Sequence, residues 1–183
     1  MQKVLFFLSE LSQDDIDWLI RTGERRDISS GTVLIWENKA VETLYIMLKG
    51  TVVVSVAAMG DKEIARLHSG DIVGEMSFVE DRLPSATVKT FEPSVVLALS
   101  RAALTQKISQ DVGFAARFYR ALAILLSSRL RGTVKQLGYP NQTPAPGAGA
   151  EAEEDFSMAE ARFSHLLEQF GVSEVPEVSL SDA

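Results

Sequence analysis

The sequence contains no cysteine and only two histidines among its 183 residues. The lack of cysteine excludes disulfide bonds, thiol nucleophiles and thiolate zinc sites. His68 and His165 stand far apart in the chain, whereas a histidine-based metal centre needs several histidines together with a carboxylate. No serine has a histidine placed to activate it for nucleophilic catalysis. We therefore expect a protein that is not an enzyme and has no metal site.

Long apolar runs are also missing. The N-terminal run from Val4 to Leu8 has five residues, which is too short for the core of a signal peptide or for a membrane span of about 20 residues. We therefore expect a cytoplasmic protein without a membrane partner.

Basic residues are scarce towards the C-terminus. The chain has 18 Lys and Arg against 25 Asp and Glu, for a net charge of −7. All but one of the basic residues precede Pro140, and nine of the acidic residues follow it. The first part is close to neutral, the second is acidic, and neither offers the broad basic surface that non-specific DNA binding requires. We therefore expect no DNA partner.

What is present is enough apolar material for one folded domain, since 46% of the residues are hydrophobic. Over residues 25–99, short apolar segments alternate with turn residues, as at the Lys49-Gly50 hairpin. Many short strands at close spacing are typical of an antiparallel β-roll or jelly roll. The predicted fold class is mainly β with flanking helices.

A long helix is predicted over about residues 111–137, after the β region, with Asp111 as its N-cap. Apolar residues cover most of its circumference, which indicates burial on two sides. One side can rest on the β-roll, and the other needs either a second copy of the helix or the chain's own terminal helices. The repeated spacing favours a homodimer. The two stripes are Tyr119, Leu122, Leu126, Leu130, Val134 and Leu137, and Phe114, Phe118, Ala121 and Leu125.

The segment from Gly70 to Val88, GDIVGEMSFVEDRLPSATV, carries the most specific pattern. Gly74 lets backbone amides point into a concavity, because no Cβ blocks an incoming anion. Glu75 adds a carboxylate, which can accept a sugar hydroxyl or cap the following turn. The Gly74-Glu75 pair and the run from Ala86 to Val88 resemble the cyclic nucleotide-binding domain family, which also has glycines at the positions of glycines 31, 50 and 70.

This resemblance implies a β-roll whose pocket, formed by residues 74–88, binds a cyclic nucleotide, with cAMP and cGMP as the candidate ligands. Glu75 would accept the ribose 2′-hydroxyl, and backbone amides near Ser85 and Ala86 would meet the cyclic phosphate. Thr133 matches a threonine that contacts the base in one bacterial activator of the family. The ligand-binding residues predicted in this way are Gly74, Glu75, Met76, Ser77, Arg82, Ser85, Ala86, Thr87 and Thr133.

One position departs from the family. Where the family has an arginine that pairs with the phosphate, this sequence has Pro84. Proline donates no hydrogen bond from its side chain or its backbone. Arg82, two residues earlier, is the nearest cation in the sequence.

The chain is predicted to continue as an acidic flexible linker over residues 140–156, since NQTPAPGAGA is a run of small residues and Tyr139-Pro140 ends the long helix. A helix over 157–171 follows, because Ser157 and Glu160 form a capping box and apolar residues recur at helical spacing. This helix is expected either to dock on its own domain, which we favour, or to bind a protein partner. Residues 172–183 are expected to be disordered.

The sequence thus divides into a domain over residues 1–139, a linker and a tail. Two functions are compatible with it. The first is a regulatory module that senses a cyclic nucleotide and transmits binding to the long helix. The alternative is a ligand-free scaffold or adaptor that dimerises and presents its C-terminal helix, a function from which the sequence does not separate a regulatory subunit acting on another enzyme or channel. No room is expected for the DNA-binding domain that transcription factors of this family carry.

Overall fold

The computed structural model describes the backbone of residues 7–136 and 149–172, and the side chains of residues 7–134 and 157–172. Residues 7–9 are helical. Five helices and eight strands follow, which we number in chain order. They are α1 (Gln13–Thr22), β1 (Glu24–Ile28), β2 (Val33–Ile35), β3 (Thr43–Lys49), β4 (Thr51–Val56), β5 (Lys62–His68), β6 (Ile72–Val73), α2 (Glu75–Glu80), β7 (Thr87–Thr90), β8 (Ser94–Ser100), α3 (Arg101–Gln110), α4 (Val112–Gln136) and α5 (Gly149–Gln169), with a 3₁₀ turn at Ala57–Met59.

The strands form two four-stranded antiparallel sheets, ordered β1-β8-β3-β6 and β2-β7-β4-β5. The predicted mainly β fold, an antiparallel roll with flanking helices, is confirmed. The sequence did not predict β1 as a separate strand. Its residues ERRDI are mostly charged and exposed and show no alternation of apolar and polar side chains. It is placed by its pairing with β8, in which Glu24 lies opposite Ala98.

The β3 strand separates two apolar cores. Leu44, Ile46 and Leu48 point towards the helices, whereas Tyr45 and Met47 point into the interior between the two sheets. Side chains alternate between the two faces of a strand. Because both faces of β3 are buried, its residues form the continuous apolar run LYIML. The interior core leaves room at one end of the roll, and the site described below lies there.

Glycine is required at two tight turns of the roll. Gly50, between β3 and β4, has φ +93°, and a Cβ there would lie 2.3 Å from the Ser94 hydroxyl oxygen. Gly74, between β6 and α2, also has φ +93°, and a Cβ there would lie 3.0 Å from the Thr43 carbonyl oxygen. A residue with a side chain would therefore be strained at either turn.

Helix α1 begins at the Ser12 N-cap, where Asp15 completes a capping box. The Asp15 carboxylate also accepts hydrogen bonds from Arg117 of α4, at 2.6 and 2.9 Å. Burial alone would raise the pKa of Asp15, but the bonds from Arg117 and Ser12 outweigh it and hold that pKa below its ordinary value. This pair joins the first described helices to the long helix.

The C-terminal helix docks on the same chain, as the favoured interpretation predicted. Phe163, Leu166 and Leu167 are buried in the core that contains Phe114 and Phe118 of α4. Polar contacts also hold this helix on the domain. Arg162 donates to the carbonyl oxygens of Leu8 and Ser9 at 2.8 and 3.0 Å. Arg25 donates to the carbonyl oxygen of Phe170, which follows the helix, at 2.6 Å.

The predicted bounds of this region need correction. Helix α5 begins at Gly149, so it includes the last part of the predicted linker, and Ser157 lies within the helix and is not its N-cap. Val172, predicted as the first residue of a disordered tail, is buried in the core and donates its amide to Leu167. A longer run of favourable helical residues, GAEAEED, extended the helix upstream. Residues 137–148 and 173–183, which hold the rest of these predictions, lie outside the described residues.

The two stripes of α4 have different surroundings. Phe114, Phe118, Ala121 and Leu125 are fully buried, covered by the chain's own helices. On the other stripe Leu122 is buried, whereas Tyr119, Leu130 and Val134 are exposed. The first stripe is therefore buried within one chain, whereas much of the second stripe is exposed on the surface.

Candidate functional site

A cavity of about 270 Å³ opens at one end of the roll, between β6, α2, the segment before β7, and α4. Its inner wall is apolar and comes from strands of the sandwich interior. Its outer wall carries carboxylates, hydroxyls and guanidinium groups. The apolar part includes Ile35, Val54, Leu67, Val73 and Val88, and the polar part includes Glu75, Ser77, Glu80, Arg82, Ser85 and Arg129.

The polar end is built at Gly74. This residue ends β6 and, in the left-handed conformation, turns the chain into α2. The sharp turn places Glu75 in the first turn of α2, where 3% of the residue is exposed. A local backbone requirement at one glycine thus determines where the buried carboxylate lies.

Glu75 is paired with Arg129, which reaches the cavity from the long helix α4. Arg129 Nη1 donates to Glu75 Oε1, and Arg129 Nη2 donates to the Ile72 carbonyl oxygen at 2.5 Å. A guanidinium group holds a carboxylate and a carbonyl together well because its donors form a rigid planar fork. The pair therefore ties α4 to the β6–α2 turn, across 54 residues of sequence.

The electrostatics of Glu75 are a balance between burial and this cation. Burial raises the pKa of Glu75, and the attraction of Arg129 reduces that rise without cancelling it. The nearby carboxylate of Asp71 adds to the rise. Two effects therefore oppose each other at Glu75: desolvation disfavours its charged form, and Arg129 stabilises that form.

Arg82, the cationic residue predicted to bind the ligand, lies on the opposite wall and is much more exposed to solvent. Arg82 lines the cavity, but 81% of its side chain is exposed, and its ion pair with Glu80 spans 4.0 Å. Pro84 also lines the cavity, and its carbonyl oxygen accepts the Asn38 amide at 2.9 Å. At this position the protein supplies an apolar ring and no donor to the cavity.

Most of the predicted ligand-binding residues meet here. Gly74, Glu75, Met76, Ser77, Arg82, Ser85 and Ala86 all line the cavity. Thr87 and Thr133 are not among the lining residues. The Thr87 hydroxyl accepts the Glu37 amide at 3.2 Å, and the exposed Thr133 donates to the Arg129 carbonyl oxygen at 3.1 Å.

Sequence reasoning missed Arg129, although a signal was present. The buried stripe of α4 advances from Phe118 through Ala121 to Leu125, and the next position on that face is residue 129. A charged residue that continues a buried stripe indicates a partner on the facing element. His68 is exposed at the end of β5.

Among the described residues no group of three or more histidine, aspartate or glutamate side chains could hold a metal ion. The helices in the described part of the chain all fall short of the length and apolarity needed to cross a membrane.

Comparison with known proteins gives one family match. Residues 25–111 match the family model for the cyclic nucleotide-binding domain. The Pycsar effector protein PaPycTIR of Pseudomonas aeruginosa is 37% identical over 92 residues, which cover 50% of this chain and 29% of that protein. The cAMP-activated global transcriptional regulator CRP of Pasteurella multocida is 29% identical over 125 residues, which cover 67% of this chain and 58% of that protein.

This chain therefore spans less than two thirds of the length of either curated relative. Among solved structures, a cyclic nucleotide-binding domain from Methylobacillus flagellatus superposes with a TM-score of 0.67 at 22% identity, covering 79% of this chain and 86% of that one. At this level of identity the superposition establishes the fold, and it agrees with the roll described above.

Proposed function

Because residues 25–111 belong to the cyclic nucleotide-binding domain family, whose members are regulators and sensors, we propose that this protein is a non-enzymatic sensor. A cyclic nucleotide, cAMP or cGMP, binds in the cavity at the end of the roll, and α4 transmits the binding event. The observation that carries this proposal is the contact of Arg129, a residue of α4, with Glu75 in the cavity wall.

The cavity has the size and chemistry of a small nucleotide site. Its volume of about 270 Å³ lies just below the range of small-molecule sites, which span about 300–1,000 Å³. The apolar inner wall suits a flat base. The outer wall offers Glu75 to a ribose hydroxyl, and hydroxyl and guanidinium donors to a phosphate.

A ligand can shift α4 only through a difference in affinity between two states of the protein. Arg129 provides such a difference, because a ribose hydroxyl that donates to Glu75 competes for the carboxylate that now holds the guanidinium. When that contact weakens, the β6–α2 turn and α4 are less firmly joined. Movement of α4 would then reach both its exposed stripe and the docked helix α5.

The output we propose is a homodimer formed through α4. Tyr119, Leu130 and Val134 leave an exposed apolar stripe on this helix, with 65% of Leu130 exposed. Apolar residues repeated over several helical turns suit pairing with the same stripe of a second copy. A protein partner for the apolar face of α5 would first have to displace that helix from its own core.

A ligand-free scaffold is the second candidate. It is favoured by the pairing of Glu75 with Arg129 in the structure, together with the absence of a donor at Pro84. In that case the domain serves dimerisation and the cavity has no ligand.

Isothermal titration of the full chain with cAMP and with cGMP, at moderate salt, tests the sensor. We expect micromolar binding of at least one of them, weakened by Glu75→Ala. Linear 5′-AMP, which has the same base and sugar but an open phosphate monoester, is the control ligand for cAMP. No heat from either cyclic nucleotide at millimolar concentration, with the protein folded, would reject the sensor and favour the scaffold.

A further inference from the structure

The guanidinium group of Arg129 lies between two buried carboxylates and uses only one of them. It donates to Glu75 Oε1 through Nη1, while its Nη2 lies 3.7 Å from Asp71 Oδ1. Asp71 Oδ1 and Arg129 Nε are both buried and lack a hydrogen-bond partner among the described residues. Buried charged groups rarely leave hydrogen-bonding capacity unused, because each unmade bond costs free energy.

The position of Asp71 is held independently of Arg129. Its Oδ2 accepts the His68 amide at 2.9 Å. Its backbone amide donates to the His68 carbonyl oxygen at 2.9 Å, and its own carbonyl oxygen accepts the Met47 amide at 2.8 Å. The turn before β6 therefore binds Oδ2 of Asp71. The other oxygen, Oδ1, has no role in the turn and faces Arg129.

From this arrangement we propose that Asp71 is a positioning residue, the second acceptor to which Arg129 transfers when Glu75 no longer holds it. The transfer is short, since closing 3.7 Å to a charge-assisted bond of about 2.8 Å needs a movement of about 1 Å. It also keeps the guanidinium compensated, which matters because removing the sole partner of a buried ion is strongly destabilising.

The arrangement has two alternative states for one helix residue. With Arg129 on Glu75, α4 is tied to the start of α2. With Arg129 on Asp71, α4 is tied to the turn before β6. The use of this switch by a ligand rests on the proposed function, whereas the transfer itself is a property of the free protein and can be tested without any nucleotide.

A mutant cycle in the full chain tests the transfer. The coupling between Asp71→Asn and Arg129→Gln is measured by urea unfolding, first with Glu75 present and then in a Glu75→Gln background. We expect the coupling, expressed as a ratio of unfolding equilibrium constants, to be small in the first background and larger by about tenfold in the second. Equal coupling in the two backgrounds would overturn the proposal, since a purely structural Asp71 would not respond to Glu75.

The Arg129 Nε–H resonance, assigned by its loss in Arg129→Gln, gives a second measurement. Replacing Glu75 by Gln is expected to shift it, and the shift should vanish when Asp71→Asn is also present. The control is Asp81→Asn, which removes the exposed carboxylate bound to Arg101 at 2.7 Å and should leave the shift intact.

If Glu75→Gln does not fold, Glu75→Asp replaces it in both measurements, because a side chain shorter by one methylene withdraws the carboxylate from Arg129, whereas glutamine removes its charge. A shift that persists with Asp71→Asn would refute the transfer. Failure of cyclic nucleotides to bind would count against the proposed function and leave this inference standing.

Discussion

Arg129 and Glu75 determine the chemistry of the polar end of the cavity. Arg129 supplies a compensating charge, and Glu75 supplies a hydrogen-bond acceptor. The carboxylate is almost fully buried in the first turn of α2 and needs a compensating charge. The guanidinium belongs to a helix that packs on the roll and needs acceptors on the facing element. Their pairing makes the polar end of the site depend on where α4 lies.

The raised pKa of Glu75 predicts the pH dependence of stability. A carboxyl whose pKa is higher in the folded protein than in the unfolded chain contributes stability that is complete below the unfolded value and is lost as pH rises through the folded value. For Glu75 this loss begins above about pH 4.5. We expect Glu75→Gln to flatten that part of the profile, measured as the free energy of unfolding in urea from about pH 4 to about pH 8.

The control for this experiment is Glu42→Gln, which changes an exposed carboxylate and should leave the profile unaltered. An unchanged slope in Glu75→Gln would show that another group produces it.

Pro84 is the second decisive residue. We expect Pro84→Arg to place a guanidinium in the cavity wall and to increase affinity for a cyclic nucleotide by about tenfold or more, since a hydrogen bond to a charged group contributes about 1.5–3 kcal/mol. Titration calorimetry of the variant and of the parent protein measures the difference.

Ser85→Arg, one residue further along the same wall, is the matched control and should gain less, because its position is exposed. If Pro84→Arg gains nothing, the rest of the cavity does not recognise a nucleotide and the scaffold is favoured.

Among the elements, α4 has the central place. Its buried stripe is covered by α5 and by the N-terminal helical residues, its Arg129 reaches the cavity, and its other stripe is exposed. A displacement of this one helix would therefore change the cavity, the docked C-terminal helix and the exposed surface together.

The docking of α5 predicts a large effect of its core residues. Phe163→Ala removes a buried ring, and we expect a loss of about 3–5 kcal/mol in the free energy of unfolding, as is usual for Phe to Ala in a core. Urea unfolding of the full chain measures it, and amide hydrogen exchange in α5 should rise.

Met158→Ala, on the exposed face of the same helix, is the control and should change stability by less than about 0.5 kcal/mol. A small effect of Phe163→Ala would mean that α5 does not dock on the domain in solution.

The whole molecule combines a roll with helices gathered on one side of it. Residue 25, at the start of the roll, contacts the end of α5, and Asp15 of α1 is bonded to Arg117 of α4. The helices thus form a connected layer on the outer face of the sheet that contains β3. Within this layer, the exposed stripe of α4 is the surface that we propose for self-association.

This proposal predicts a specific defect. Leu130→Glu puts a charge in the centre of the exposed stripe, and we expect it to weaken dimerisation by at least about tenfold, because a buried unpaired carboxylate is costly. Sedimentation velocity over a range of protein concentrations measures the dissociation constant.

Ile64→Glu, an equally apolar to acidic change at an exposed position of β5, should leave the assembly unaltered. A monomer in both the parent protein and Leu130→Glu would exclude α4 as a dimer interface under those conditions.

Much of the fold could be predicted because its signals are local. The turn at Lys49-Gly50 was predicted from these two residues, and β3 ends and β4 begins there in the structure. The Ser12 cap and the Gly74 turn are likewise determined by residues next to them in the chain. The charged strand β1 was not predicted, because it is placed by its pairing with β8. The start of α5 was missed because helix-favouring residues extend the helix upstream of the predicted cap.

The sequence alone established the mainly β roll, the long helix after it, and most residues of the cavity wall, because turn glycines, caps and apolar periodicity act over a few residues. Folding in three dimensions was needed to select Arg129 as the partner of Glu75, to leave Asp71 Oδ1 facing that pair, and to place α5 on its own chain rather than on another. These outcomes depend on which surfaces meet across 50 residues or more, and a local pattern such as the stripe of α4 does not identify the facing residue.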